Sequence, residues 1–534
     1  MITAWTVGSL DKVKADSRPP RDTEFSPVLR FSAARGEVEA AQLCVHPVGG
    51  GVKIEAVDIE PFHGHGLSIV PRVRLVDFVN VTEASHGDGE VGPQPDILRE
   101  FVPVKLETTR SFWGDVKVPR EAPAGLYSGN IHIRTAGAGD IRVPITLRVF
   151  NFELPWPPRL VTGYGLYEKP MRTAYGERYD DMFRRFRENM TEHRITHLAF
   201  PAVDITLPKI QIPAKGKGKG KVKVDYTEFD RAVQENLPRG MNRFEMPVPA
   251  KYLAKEKRLD TPYPPDVLVA VLAEFEQHLE QRGWLDMAYF FLVDEPGRDA
   301  FPVFEEIQNL LKRGAPRIRR RLDMGYGAYG AKPGEVIEKA EYRKLKGLVE
   351  IWVPHIDCVD QEFLAAEQAE GREVWWYICC SAKHPYPNCL VDYPLIDSRV
   401  PMWMTFDAGA TGFVYWTVNW WDKDPFVNPL SYAKANGDGM LIYPGPDGPL
   451  DSVRWEVMRD GFEDYDYLVL LSERLRAAEK AGRTGPAVEI ARSALAAVKQ
   501  VASSRTQYAK DPNVLLTVRT QVAHAIEGLG VTPQ

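Results

Sequence analysis

The chain reads as a multidomain α and β protein: an N-terminal β-sandwich, then a (β/α)8 TIM-type barrel, then a C-terminal helical extension. Three observations predict this. The segment IRVPITLRV alternates Ile141, Val143, Ile145, Leu147 and Val149 with Arg142, Pro144, Thr146 and Arg148, the period-two pattern of a sheet with one buried face. After the proline cluster LPWPP (154 to 158) the pattern changes to short apolar runs alternating with amphipathic helices, as parallel strands with crossovers require. Eight such runs lie between residues 161 and 418, the repeat of a (β/α)8 barrel, whose chemistry sits at the C-terminal ends of its strands.

In chain order, strands are predicted at 52 to 59, 73 to 81, 129 to 134 and 141 to 149, with no long helix between them, which places a β-sandwich over residues 1–155. The barrel occupies 156–450. Its strands are VTGYGLY (161 to 167), THLAF (196 to 200), RFEMPV (243 to 248), MAYFFLV (287 to 293), RRLDMG (320 to 325), VEIWVP (349 to 354), EVWWYI (373 to 378) and GFVYWTV (412 to 418). Between them, Tyr179, Phe183, Phe186 and Met190, and again Leu268, Leu272, Phe275 and Leu279, form helical stripes. KGKGKGKVK (215 to 223) is a low-complexity, solvated loop. Residues 451–534 read as helices, one with the stripe Trp455, Met458, Phe462, Tyr465 and Val469, others over 486 to 501 and 513 to 528, packed on the barrel.

Composition narrows the function. In 534 residues, 67 Lys and Arg nearly balance 73 Asp and Glu, so no clustered basic surface for nucleic acid is indicated. No run reaches the roughly 18 apolar residues of a membrane span, and the N-terminus has no apolar signal core. The chain as it stands reads as cytoplasmic, or as periplasmic or secreted if a signal has been removed. Its five cysteines lack metal-ligand spacing and read as buried thiols, and His63 with His65 sits in the sandwich, so neither a metal nor a cofactor is expected. Seven of the twelve tryptophans (Trp352, Trp375, Trp376, Trp403, Trp416, Trp420, Trp421) fall between 352 and 421. Such crowding suits either an aromatic core or the stacking platform of a carbohydrate site.

The chemistry is expected where MAYFFLV ends in Asp294-Glu295-Pro296-Gly297. Adjacent carboxyl groups at the mouth of a barrel raise each other's proton affinity, and a carboxyl group kept protonated near neutral pH serves as a general acid. The alternative is that Asp294 caps the next helix. Other polar groups follow strands in the same way: Asp323 and Tyr326, His355 and Asp357, Tyr377, and Asn419 with Trp420 and Asp422. No nucleophile elbow or phosphate-binding glycine motif is present.

The motifs ARGEVEAAQLCV (34 to 45), VPREAPAGLYSGNIHI (118 to 133), FFLVDEP (290 to 296), VWWYICC (374 to 380), GFVYWTVN (412 to 419) and SVRWEVMRDGFEDYDYL (452 to 468) resemble glycoside hydrolase family 123 and related bacterial proteins. The resemblance implies removal of β-linked N-acetylgalactosamine with retention. The substrate's acetamido group acts as nucleophile, Glu295 as acid and base, and Asp294 as holder of the acetamido N–H. By the same resemblance Tyr377, ahead of Tyr326, orients the acetamido carbonyl. Trp416 forms the pocket floor, and His355, Trp376, Asn419 and Trp420 are further candidates to contact the sugar. The acids Glu463, Asp464 and Asp466 lie off the helical stripe and are expected to pair with Arg454, Arg459 or nearby loops. Two rival readings stand: a glycosidase for sugars lacking the acetamido group, using Asp323, Asp357 or Asp422 as a separate nucleophile or base, and a non-catalytic glycan-binding protein.

Overall fold

A computed structural model describes residues 1–19, 27–199, 204–211, 222–325 and 338–530. Tyr326 and most of the Lys-Gly segment fall outside the described residues.

The first part is two facing sheets. One orders Ile2–Gly8, Val38–Pro47, Arg110–Lys117, Arg72–Val81 and Gly92–Glu100; the other is built on Leu29–Arg35, Ile141–Glu153, Gly125–Thr135, Val52–Ile59 and Val104–Leu106. Leu43, Val45 and Phe112 from the first meet Ile131, Ile145 and Leu147 from the second in one buried core. The predicted alternation holds through Val149, with Val143, Ile145 and Leu147 buried. Beyond it the same strand also buries Phe150 and Phe152, because these rings turn toward the C-terminal helices: Phe152 meets Tyr467 edge-on at 5.0 Å, and Phe150 meets His524 at 6.1 Å.

All eight expected barrel strands are present, in shorter form. Phe244–Glu245, Ala288–Phe290, Arg319–Met324, Ile351–Pro354, Glu373–Tyr377 and Gly412–Val414 make one six-stranded parallel sheet in chain order. Gly163–Tyr164 pairs with His197–Leu198 and is bridged to the eighth strand through Val161 with Gly412 and Tyr164 with Tyr415. The result is an arc of eight parallel strands. Among the described residues no ladder joins the second strand to the third, so a closed barrel is not what the ladders display. Val161, Tyr289, Ile351, Val353, Trp375, Tyr377 and Val414 fill its concave side. Their alternates Trp352, Trp376 and Phe413 face the helical layer, as period-two geometry demands.

The predicted helical stripes form helices Tyr179–Glu192 and Pro265–Arg282. At the C-terminus, Ser452 caps helix Val453–Lys480 by accepting from the Trp455 amide. This helix corrects the expectation for its acids: every residue from Val453 to Leu468 is buried, not one stripe. The helix is wedged between the sandwich and the barrel, so its polar face meets arginines instead of water. Arg399 forks onto Asp464 at 2.7 and 2.8 Å, Arg519 donates to the same carboxylate at 2.8 Å, and Arg194 pairs with Asp466. Glu463 accepts the Val38 amide at 3.1 Å. Arg454 instead clasps Asp96 of the sandwich at 2.9 Å, and Arg459 pairs with Glu456. Buried pairs of this kind contribute little net stability when intact, but losing one partner costs about 3–5 kcal/mol.

Candidate active site

The fourth parallel strand ends at Phe290, and the chain turns at Asp294 and Glu295. Asp294 caps no helix: the next helical turn starts after Gly297, and neither it nor the following helix has a side-chain cap. Glu295 has φ of 37°, outside the ordinary range for a residue with a Cβ. Such a conformation costs on the order of 1–3 kcal/mol and persists where surrounding contacts impose it. Those contacts are visible. Tyr377, on the seventh strand, donates its hydroxyl to Glu295 Oε1. Gly325, just after the fifth strand, leaves the space the carboxyl group occupies: a Cβ there would stand 2.4–2.6 Å from the Glu295 carboxyl atoms. The glycine carbonyl is fixed by the Tyr342 hydroxyl at 2.8 Å.

Asp294 is solvent-exposed, with Asp323, Glu295 and Arg321 close enough to act on its charge. Its pKa is pushed up to about 8, first by desolvation and then by the charges of Asp323 and Glu295, with Arg321 opposing. Glu295 is raised too, chiefly by burial, while the Tyr377 hydrogen bond and the His355 charge hold it down. Asp323 ends the fifth strand and is itself raised by burial against the pull of Arg321, which donates to it at 2.6 and 2.5 Å. Among the described residues, Asp294, Glu295, Asp323 and Asp357 face the cations Arg321 and His355. With that excess of acid, the adjacent pair holds a proton to higher pH than free carboxyl groups do and titrates as a unit.

His355 follows the sixth strand, fully buried, with its ring edge-on to Tyr377 at 5.0 Å. Nδ1 bonds Asp357, and Nε2 lies 3.3 Å from Ser381 Oγ. Burial works against its charge, and the contacts with Cys379 and Asp357 raise its pKa. Cys379 is itself pushed well above its ordinary value, with the Cys380 contact and burial as main causes. It therefore stays a neutral thiol, and the Asp357 carboxylate is the partner that keeps the imidazole charged.

An aromatic wall closes the other side. Trp416 and Trp420 pack at 5.3 Å, Tyr432 lies 5.8 Å from Trp416, and Tyr167 at the end of the first strand meets Trp420 at 5.3 Å. The Tyr167 pKa is raised by burial and by the Asp294 charge, so this ring connects the wall to the acids.

The sequence candidates therefore separate. Asp294, Glu295, Tyr377 and His355 converge, and Trp416 and Trp420 form the neighbouring wall. Trp376 does not join them. It is buried in the helical layer with Nε1 on Thr405 at 2.6 Å, because its neighbour Tyr377 takes the inward position. Asn419 is fully buried and committed: its Oδ1 accepts from the Tyr167 N–H and from the Thr417 hydroxyl, and its Nδ2 donates to the Tyr167 carbonyl, all at 2.8 Å. It holds Tyr167 in place. Tyr167 and Arg321 escaped the sequence reading, and their position after or within predicted strands was the signal available.

Among the described residues, one group has metal-like spacing, His193, Asp451 and Glu456. Arg74 donates to Asp451 at 2.5 Å and to Glu456 at 2.6 Å, so a guanidinium already neutralises both carboxylates and the group works as an ion-pair network.

Paired acids with raised proton affinity, at the C-terminal mouth of parallel strands and beside an aromatic wall, define a carbohydrate-cleaving hydrolase. Residues 250–471 match the family described as glycoside hydrolase 123, catalytic domain. The chain is a glycoside hydrolase, and that segment is similar to the family 123 catalytic domain. A solved family 123 glycoside hydrolase from Clostridium perfringens, described for glycolipid glycan hydrolysis, shares the fold with a TM-score of 0.67 at 15 % identity, over 99 % of this chain and 98 % of its own. A family 39 glycoside hydrolase from Bacteroides cellulosilyticus, 11 % identical over 81 % of each chain, reaches a TM-score of only 0.34 and bears no weight. No curated protein matches the sequence.

Proposed function

We propose that the protein is a retaining, exo-acting glycosidase for β-linked N-acetylhexosaminides, with N-acetylgalactosamine the first choice, working by substrate-assisted catalysis. The observation that carries this reading is the adjacency of Asp294 and Glu295, with Asp323 and Asp357, the described acids beside them, already paired. A protein nucleophile would sit about 5–5.5 Å across the sugar from the acid. Asp323 is forked onto Arg321, Asp357 is bound to His355, and Asp422 stands on an exposed loop. The nucleophile is then the substrate's own acetamido oxygen, which closes on the anomeric carbon to give an oxazolinium ion. Glu295 delivers its proton to the departing glycosidic oxygen and, as the resulting carboxylate, takes a proton from the water that reopens the ring. Asp294 accepts the acetamido N–H and balances the developing positive charge.

In this reading residues 1–155 are the sandwich, 156–450 a barrel that closes between its second and third strands, and 451–534 the helical segment. The sugar stacks on Trp416. The Tyr377 hydroxyl holds Glu295 while the site is empty and turns to the acetamido carbonyl when substrate arrives.

The test is a panel of aryl glycosides with and without a 2-acetamido group, assayed on the wild type, Asp294→Ala and Glu295→Gln. Turnover should be confined to the acetamido sugars and fall by about 100-fold or more in each variant. A thiazoline mimic of the oxazoline should inhibit. Turnover only of sugars lacking the acetamido group would overturn the mechanism in favour of a separate carboxylate such as Asp323. Glycan binding without any turnover would make the protein a binder.

A further inference from the structure

Behind the aromatic wall lies a second acid that the proposed chemistry does not use. Asp438 is fully buried, and the Tyr415 hydroxyl donates to its Oδ1 at 2.9 Å. Its other oxygen has no completed hydrogen bond, and neither does the buried indole N–H of Trp416. The two face each other. Burial lifts the Asp438 pKa to about 7, and the Tyr415 hydroxyl followed by the Trp416 indole N–H pulls it back, so the indole is within electrostatic reach although the bond is not closed. The next residue explains how the ring comes so near. Gly439 has φ of 68°, and a Cβ on it would stand 2.2 Å from the Trp416 six-membered ring. Its amide donates to Tyr415 Oη at 2.9 Å, and its carbonyl accepts the Trp420 amide at 2.7 Å.

The turn that carries Asp438 is anchored from the sandwich. The Asn436 side chain donates to the Glu83 carbonyl at 2.8 Å, to Ser85 Oγ at 3.0 Å and to Asp392 Oδ2 at 3.1 Å. Ser85 in turn donates its hydroxyl and its backbone amide to Asp392, both at 2.7 Å. Arg454 donates to the Gly437 and Met440 carbonyls at 3.1 and 2.7 Å on either side of Asp438. An acid fixed this firmly beneath an indole edge has a positional task.

We infer that Asp438 is the positioning residue for the sugar-stacking wall: it holds the Trp416 indole edge, and the Ser85–Asp392–Asn436 clasp fixes its turn from the sandwich. This rests on the functional reading above, in which a sugar stacks on Trp416. Stacking of a sugar ring on the indole would favour closing the bond. The residue acts on binding of the ring, not on proton transfer.

The experiment measures KM and kcat separately on the best substrate of the aryl glycoside panel. Asp438→Ala should raise KM about five- to tenfold, the value of one or two hydrogen bonds, with kcat within about twofold of wild type. A merely structural role would lower the active fraction, hence kcat, and leave KM alone. Asp438→Asn, whose amide oxygen still accepts the indole N–H, should keep KM within about twofold. Ser85→Ala, in the other half of the molecule, should raise KM about two- to threefold. In a Trp416→Ala background, Asp438→Ala should add nothing further. An unchanged KM in Asp438→Ala, or an effect that adds in full to Trp416→Ala, would overturn the inference. If Asp438→Ala does not fold, Tyr415→Phe loosens the same carboxylate, and an unchanged KM there is equally decisive. Should the wild type turn over no glycoside, the functional reading fails instead. Acrylamide quenching of the Trp416 emission, isolated as wild type minus Trp416→Ala, then decides the positioning, and identical quenching in Asp438→Asn and Asp438→Ala refutes it.

Discussion

Tyr377→Phe removes one hydroxyl from the site and leaves the ring that packs edge-on against His355 at 5.0 Å. That hydroxyl is the donor to Glu295 Oε1, and its loss takes away the strongest influence opposing the rise of the Glu295 pKa that burial causes. A hydrogen bond to an ionised group contributes about 1.5–3 kcal/mol, and one pKa unit corresponds to about 1.4 kcal/mol. The sign follows from the species bonded: the hydroxyl stabilises the carboxylate, so its removal favours the protonated acid by about one to two units. Glu295 must be protonated for the first step, so the basic limb of the kcat/KM profile should move to higher pH by that amount. At neutral pH kcat should fall, because in the complex the same hydroxyl turns to the acetamido carbonyl and its loss leaves that carbonyl unheld. The assay is a pH series of kcat/KM on an acetamido aryl glycoside, with thermal melting to confirm that the fold is intact. A basic limb that stays in place, or moves to lower pH, would refute the assignment of Tyr377 as the hydroxyl that tunes Glu295.

Two further outcomes are expected. Gly325→Ala places a methyl group within 2.4–2.6 Å of the Glu295 carboxyl atoms, which sit at the free end of a side chain. The chain should fold normally while the acid is displaced, so kcat should drop about 100-fold with the melting temperature within a few degrees of wild type; wild-type kcat would show that Glu295 does not need its observed place. Asp294→Asn concerns stability. Asp294 binds its proton more tightly folded than unfolded, with a folded pKa of about 8. The folded state of the wild type therefore loses ground as pH rises from about 4, the unfolded value, to 8. The variant lacks this penalty, so its melting temperature relative to wild type should climb between pH 5 and pH 9 while activity is lost; a constant difference would mean that the acid is not perturbed.

Much of the site was legible along the chain because the signals were local. The run MAYFFLV stopping at two acids marks a strand end by itself, and the position of Tyr377 and His355 after neighbouring strands puts them on the same mouth. Trp376 was misplaced by the same signal, since its strand could be read in either register until Tyr377 was known to face inward. Asn419 looked like a free polar group after a strand, and only the first strand, some 250 residues away in sequence, shows that its amide is spent on Tyr167. Glu463, Asp464 and Asp466 were expected to pair with Arg454, Arg459 or nearby loops, because helical periodicity reports one apolar stripe and is silent about arginines brought from residues 194, 399 and 519.

The sequence by itself determined the order of layers, the alternation within strands and the place of the acid pair, since each depends on side-chain spacing over a few residues. Tertiary structure alone decided what each group does there. The charge on His355, the strained backbone of Glu295, the empty space at Gly325 and the indole edge above Asp438 all arise from atoms far apart in the chain. Electrostatic and packing energies depend on distance through space, and separation along the sequence says nothing of that distance until the strands are assembled.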